Sequence, residues 1–140
     1  AMCSSFKQEL LGGVHDLDTH TLKIALIKAS PSGTYGAATT NYSNVTGNSD
    51  EATGTNYSAG GQNLDGATIA LSGTTAFLDF TDEVFSTVTT SADGCIIYNS
   101  SASNKAIAVF DFGGTVSATA GDFTIQFPTA NASNAIIRIA

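Results

Sequence analysis

Four residues of one short run, His15, Asp16, Asp18 and His20, are the types that do chemistry. Two imidazoles and two carboxylates this close together are a donor set that suits a divalent metal. The same run, Asp16-Leu17-Asp18-Thr19, matches the D-x-D-x-T pattern of phosphatases with an aspartyl nucleophile. That chemistry requires a buried parallel strand directly before the first Asp. Here Gly12, Gly13 and Val14 precede it, and no alternation of strands and helices follows. A polar turn between a helix and the first strand is the better expectation, because turns favour Asp and Thr. A small metal-dependent hydrolase is the remote alternative.

Nucleophilic catalysis has less to build on. There is no G-x-S-x-G elbow, and both histidines lie near the N-terminus. Cys95 follows Asp93-Gly94 and precedes Ile96-Ile97-Tyr98, with no cation nearby in sequence to lower its pKa. It reads as a core thiol, and Cys3 as a terminal one; two cysteines make no disulfide framework. The pairs Gly60-Gly61 and Gly113-Gly114 lack the Lys-Ser/Thr of a phosphate loop. Asp50-Glu51 and Asp82-Glu83 offer oxygens to calcium but without EF-hand spacing, so solvated loops are expected. We expect no catalytic residue, no metal and no cofactor.

Tyr35, Tyr42 and Tyr57 stand in a stretch rich in Gly, Ser, Thr and Asn, a composition shared with adaptable binding surfaces. They suit stacking on sugar rings, packing on a neighbouring subunit, or packing beneath their own loop. Sequons at Asn41, Asn44, Asn56, Asn99 and Asn131 reflect the same loop composition.

The 140 residues carry a net charge of −7, with only Lys7, Lys23, Lys28, Lys105 and Arg138 basic. Nucleic acid and anionic membrane surfaces are poor partners for such a chain. The longest apolar runs, Ile24 to Ile27 and Ala106 to Phe110, are too short to cross a bilayer as a helix. The opening AMCSSFK has no apolar core of a signal peptide.

These residues must be positioned by a ladder of strands. Ser5 and Gln8 suit a capping box for a short helix, with Phe6 and Leu10 on one face and Gly12-Gly13 ending it. Such a helix is too short to stand alone and must dock on the sheet or another subunit. Strands are expected at Thr21–Lys28, Ala67–Leu71, Thr75–Phe80, Val84–Thr90, Cys95–Tyr98, Lys105–Phe112, Phe123–Phe127 and Ala135–Ile139. Residues 30–58 form a long loop, which in a compact domain suggests a functional or mobile segment. The expected fold is a single all-β domain over 1–140. It is an antiparallel, jelly-roll-like sandwich of about eight strands with residues 1–13 as a helical arm.

One family shares this order of blocks. FKQELLGGVHDLDTHTLKIALI, GTNYSAGGQNL (Gly54 to Leu64), CIIYNSSASNKAIAVFDFGG (Cys95 to Gly114) and GDFTIQFP (Gly121 to Pro128) together resemble small structural proteins of tailed bacteriophages. The resemblance spans nearly the whole chain. It implies a non-enzymatic virion β-sandwich, either a capsid decoration (cement) protein or a tail accessory. Its partners would be the major capsid protein or other virion proteins, and it would assemble as a homo-oligomer with a trimer favoured. Phe6, Leu10, Tyr35, Tyr42 and Tyr57 are then the expected interface. The alternative within the same particle is a tail-associated receptor- or carbohydrate-binding module.

Overall fold

In the computed structural model, which describes residues 1–140, two antiparallel sheets share one core. The elements run α1 (Ser4–Leu11), β1 (Leu22–Lys28), α2 (Ser43–Gly47), β2 (Gln62–Asn63), β3 (Thr68–Ser72), β4 (Thr75–Asp79), β5 (Glu83–Asn99), β6 (Lys105–Ile125) and β7 (Ile137–Ile139). The larger sheet is ordered β2-β1-β5-β6 and the smaller β3-β4-β7. The fold is mostly β, as expected, with seven strands rather than eight.

The count differs because two breaks in the hydrophobic pattern are bulges, not turns. Val84–Thr90 and Cys95–Tyr98 merge into β5, while Lys105–Phe112 and Phe123–Phe127 merge into β6. The register between β5 and β6 shifts around Val88, at Ala92/Gly94 and at Ile97/Tyr98. A bulge absorbs an extra residue and bends the strand without ending it. Asp93, in the gap between two of the expected strands, accepts hydrogen bonds from Ser30 N–H at 2.9 Å and Thr115 Oγ1 at 2.5 Å. Those contacts anchor the bulge. The two-residue β2 is the strand that the pattern did not announce.

β1 sits between β2 and β5, and both of its faces are covered: Leu22, Ile24, Ala25, Leu26 and Ile27 are all buried. Gly61 makes the approach of the neighbouring segment possible. Its φ is +72°, and a Cβ there would lie 1.8 Å from the Ile24 carbonyl oxygen. No side chain fits that gap.

Two expectations are corrected. Ser5 is not the N-cap of α1; Cys3 is, with no side-chain cap. The helix start is fixed by strand-like pairing instead, through Cys3 N–H to Ile107 O (2.9 Å) and a bridge between Met2 and Ala108. Cys3 and Phe6 are fully buried while Leu11 stays exposed, so the helix docks on the sheet through one face, one of the two placements expected of it. The 30–58 stretch also packs internally. It contains α2, buries Val45 and Ala52, and pairs with β1 through Ala52 N–H to Leu26 O (2.9 Å) and Lys28 N–H to Asp50 O (2.8 Å).

Candidate functional site

Asp16 organises the turn that carries the histidines. Its Oδ1 accepts from the N–H groups of Asp18 and Thr19, each at 3.1 Å, an Asx-type turn. Hydrogen bonds from Thr19, then from Asp18, hold its carboxyl below the usual range. His15 and His20 meet on the buried amide of Asn99, whose Nδ2 lies 3.0 Å from His15 Nδ1 and 2.9 Å from His20 Nδ1. Asn99 Oδ1 is already taken by Ser101 N–H at 3.0 Å. The Asn99 amide nitrogen is therefore the donor to both rings, and both Nδ1 atoms accept. That places the ring protons on Nε2, where His15 donates to Glu9 Oε2 at 2.7 Å. The four residues of the sequence run do not converge, and no group of three or more His, Cys, Asp or Glu side chains is placed to hold a metal ion.

The tyrosines of the 30–58 segment face two adjacent carboxylates. Asp50 is fully buried and accepts from Tyr35 OH at 2.5 Å, Gly33 N–H at 2.8 Å, Ser32 N–H at 2.9 Å and Lys28 Nζ at 3.1 Å. Burial alone would raise its pKa, but donors from Tyr35, Ser32, Gly33 and Lys28 outweigh that and hold it well below the carboxylate range. Glu51 accepts from Tyr42 OH, Tyr57 OH (2.9 Å) and Gly60 N–H (2.7 Å). Tyr57 OH in turn accepts from Leu26 N–H at 2.9 Å. The Tyr42 ring stacks on Tyr98, centroids 4.4 Å apart. Of the three uses open to these tyrosines, the geometry displays the internal one: each ring is half-buried and each hydroxyl is bound within the loop. The calcium-type pairs are likewise occupied, with Asp82 Oδ1 accepting from Phe127 N–H at 2.8 Å.

The thiols are spent in the core. Burial pushes Cys95 up to about 12 and Cys3 up to about 11, so neither is a ready nucleophile.

The feature that remains open is apolar. Strand register puts Leu71, Ala76 and Ile139 in one cross-strand row and Ile69, Leu78 and Ile137 in the next, on one face of the small sheet. Leu78 and Ile137 are buried, whereas Leu71 is 72%, Ile139 56% and Ile69 52% exposed. Beside this face, α1 leaves Leu11 92% exposed. A groove of about 400 Å³ separates the helix from β7, walled by Met2, Phe6, Leu10 and Leu11 on one side and Ile137 and Ile139 on the other. Its charged residues are Lys7 and Arg138. Of the expected interface residues, Leu10 is placed at this surface and Phe6 forms its floor, while the three tyrosines sit in the carboxylate network. Sequence reasoning missed Ile69, Leu71 and Ile139; their alternation was visible, but not which face would lack a cover.

No protein-family model matches the chain, and no curated protein or solved structure is similar enough to count as a relative. No helix is long and apolar enough to cross a membrane.

Proposed function

We propose that the chain is a structural protein of a bacteriophage virion, acting as a capsid decoration (cement) protein that stabilises the head through subunit contacts. The observation that carries this reading is the half-covered apolar face of Ile69, Leu71, Ile139 and Leu11. Grouped exposed apolar side chains of this kind mark contact surfaces. The block order shared with small tailed-phage structural proteins supplies the class of partner. In this proposal the two sheets are the layers of a jelly-roll-like sandwich, the protein is not an enzyme, and it resides on the particle after assembly in the host cytoplasm. Several copies around a symmetry axis, three in the favoured arrangement, would each offer the same face, so weak single contacts sum through avidity.

The test is co-sedimentation of the purified protein with heads assembled from the major capsid protein of the same phage, beside a Leu11→Glu/Leu71→Glu variant. Both side chains are exposed, so the variant should keep the wild-type melting temperature and lose the heads. Failure of the wild-type protein to bind, or undiminished binding by the variant, refutes the proposal. Sedimentation equilibrium reads the oligomer number directly.

A further inference from the structure

β7 ends the small sheet. It pairs with β4 through Ala76–Ile139, Phe77–Arg138 and Leu78–Ile137, and its other edge makes no backbone hydrogen bond. All three residues of this last strand, Ile137, Arg138 and Ile139, line the groove whose opposite wall is α1. A helix lying beside an unpaired strand, with an apolar channel between them, is the geometry in which an extended segment is received by strand addition. The main chain supplies affinity and alternate side chains supply specificity.

The charge of the channel narrows the occupant. The chain as a whole is −7 with five cations, yet Lys7 and Arg138, two of those five, line this one groove and no carboxylate does. Glu9, on the same helix, is turned to His15. Lys7 makes no hydrogen bond or ion pair, and the Arg138 side chain bonds only the carbonyl of Ala132, at 2.6 Å. A second copy docking by the same patch would bring its own Lys7 and Arg138 to a groove lined by two cations and no acidic side chain, which like-charge repulsion opposes. A segment carrying both apolar side chains and carboxylates has no such conflict.

We infer that the groove between α1 and the free edge of β7 receives an extended, acidic segment of a partner protein. The segment adds to the sheet as a fourth strand, seats its apolar side chains against Leu10, Leu11 and Ile139, and pairs its carboxylates with Lys7 and Arg138. This rests on the contact-surface reading of the preceding section and gives the partner's segment its chemistry.

The probe is a synthetic peptide alternating Val or Ile with Asp or Glu, compared with the same peptide carrying Lys at the acidic positions. Amide chemical shifts of the full chain should move at residues 136–140 and along α1 with the acidic peptide only. Reversing both cations, in Lys7→Glu/Arg138→Glu, should weaken binding about tenfold or more. Raising the salt should weaken wild-type binding as well. Because both side chains are exposed, the variant's unchanged melting temperature serves as the folding control. No binding of the acidic peptide, equal binding to the charge-reversed variant, or shifts elsewhere would each overturn the inference. So would saturation of the same amides by vesicles of anionic phospholipid, or self-association through this face, in place of peptide binding. Failure of the peptide while Leu11→Glu/Leu71→Glu still abolishes head binding discards the groove and keeps the capsid reading. The reverse pair of results does the opposite.

Discussion

Tyr35 donates its hydroxyl to the fully buried carboxylate of Asp50 across 2.5 Å. With Ser32, Gly33 and Lys28 on the same carboxylate, this contact fastens residues 32–35 and the end of β1 to position 50 of the 30–58 segment. The loop is thereby closed by one side chain. Removing it leaves several donors without an acceptor, the costly way to lose a hydrogen bond.

Asp50→Ala should therefore cost about 3 kcal/mol in denaturant unfolding. The pH dependence has a definite sign. A carboxyl held below its ordinary 3.8 adds stability above that pH and gives it up as pH falls through the folded-state value. Wild type should lose melting temperature steeply below about pH 4, whereas Asp50→Asn starts lower and falls less. Parallel curves for the two proteins would contradict the assignment.

The four tyrosines predict the alkaline limb. Burial first, and then the charge of Glu51, pushes Tyr98 up to about 12. Tyr57 and Tyr42 are raised further by burial and by Glu51, and Tyr35 is raised by burial and by its bond to Asp50. A raised folded-state value means stability that is complete below the ordinary 10.0 and lost as pH rises through the folded value. Ultraviolet titration should show much less tyrosinate at about pH 10 in the native protein than in the unfolded chain, then a cooperative rise coincident with unfolding. A graded rise centred on the free-tyrosine value would show the network to be open.

Gly61→Ala tests the close approach to β1. The added Cβ collides with the Ile24 carbonyl, and the backbone is held at φ +72°. A loss of about 3 kcal/mol or more is expected. Gly114→Ala is the control, since nothing lies within 4 Å of its Cβ position. Its effect should stay within about 0.5 kcal/mol.

Asn99 fixes the tautomers of two histidines at once. Nitrogen chemical shifts should place the proton on Nε2 of both His15 and His20 near pH 8. Asn99→Ala should release that preference and cost about 2 kcal/mol. A proton found on Nδ1 of either ring in the wild-type protein would mean that the amide is oriented the other way.

Local regularity made part of this fold readable in advance. The Leu22, Ile24, Leu26 alternation marks β1, and the Ser72-Gly73-Thr74 turn between apolar runs marks the β3–β4 hairpin. Asp16 with Thr19 announces a turn by side-chain chemistry alone. What escaped reading depends on partners distant in the chain. Asp93 falls in a gap between two expected strands, and nothing near it in sequence shows that Ser30, 63 positions away, donates to it. Asn99 looks like one more loop amide, yet it joins residues 79 and 84 positions upstream. The composition around the tyrosines left a binding surface and internal packing both open, and only the fold supplied the carboxylates that hold those hydroxyls within the loop. The apolar residues of the open face were legible as strand residues, but exposure depends on how two sheets and a helix of unequal size overlap.

β3 has one further consequence. Its sequence, Thr-Ile-Ala-Leu-Ser, carries no charge and no proline, and it forms the other border of the small sheet. Natural proteins usually guard such a border with lysine, proline or a covering loop. Unguarded, it should make the protein prone to clump at high concentration in a test tube, with molecules lining up flank to flank. Shielding Ile69 and Leu71 should restore solubility.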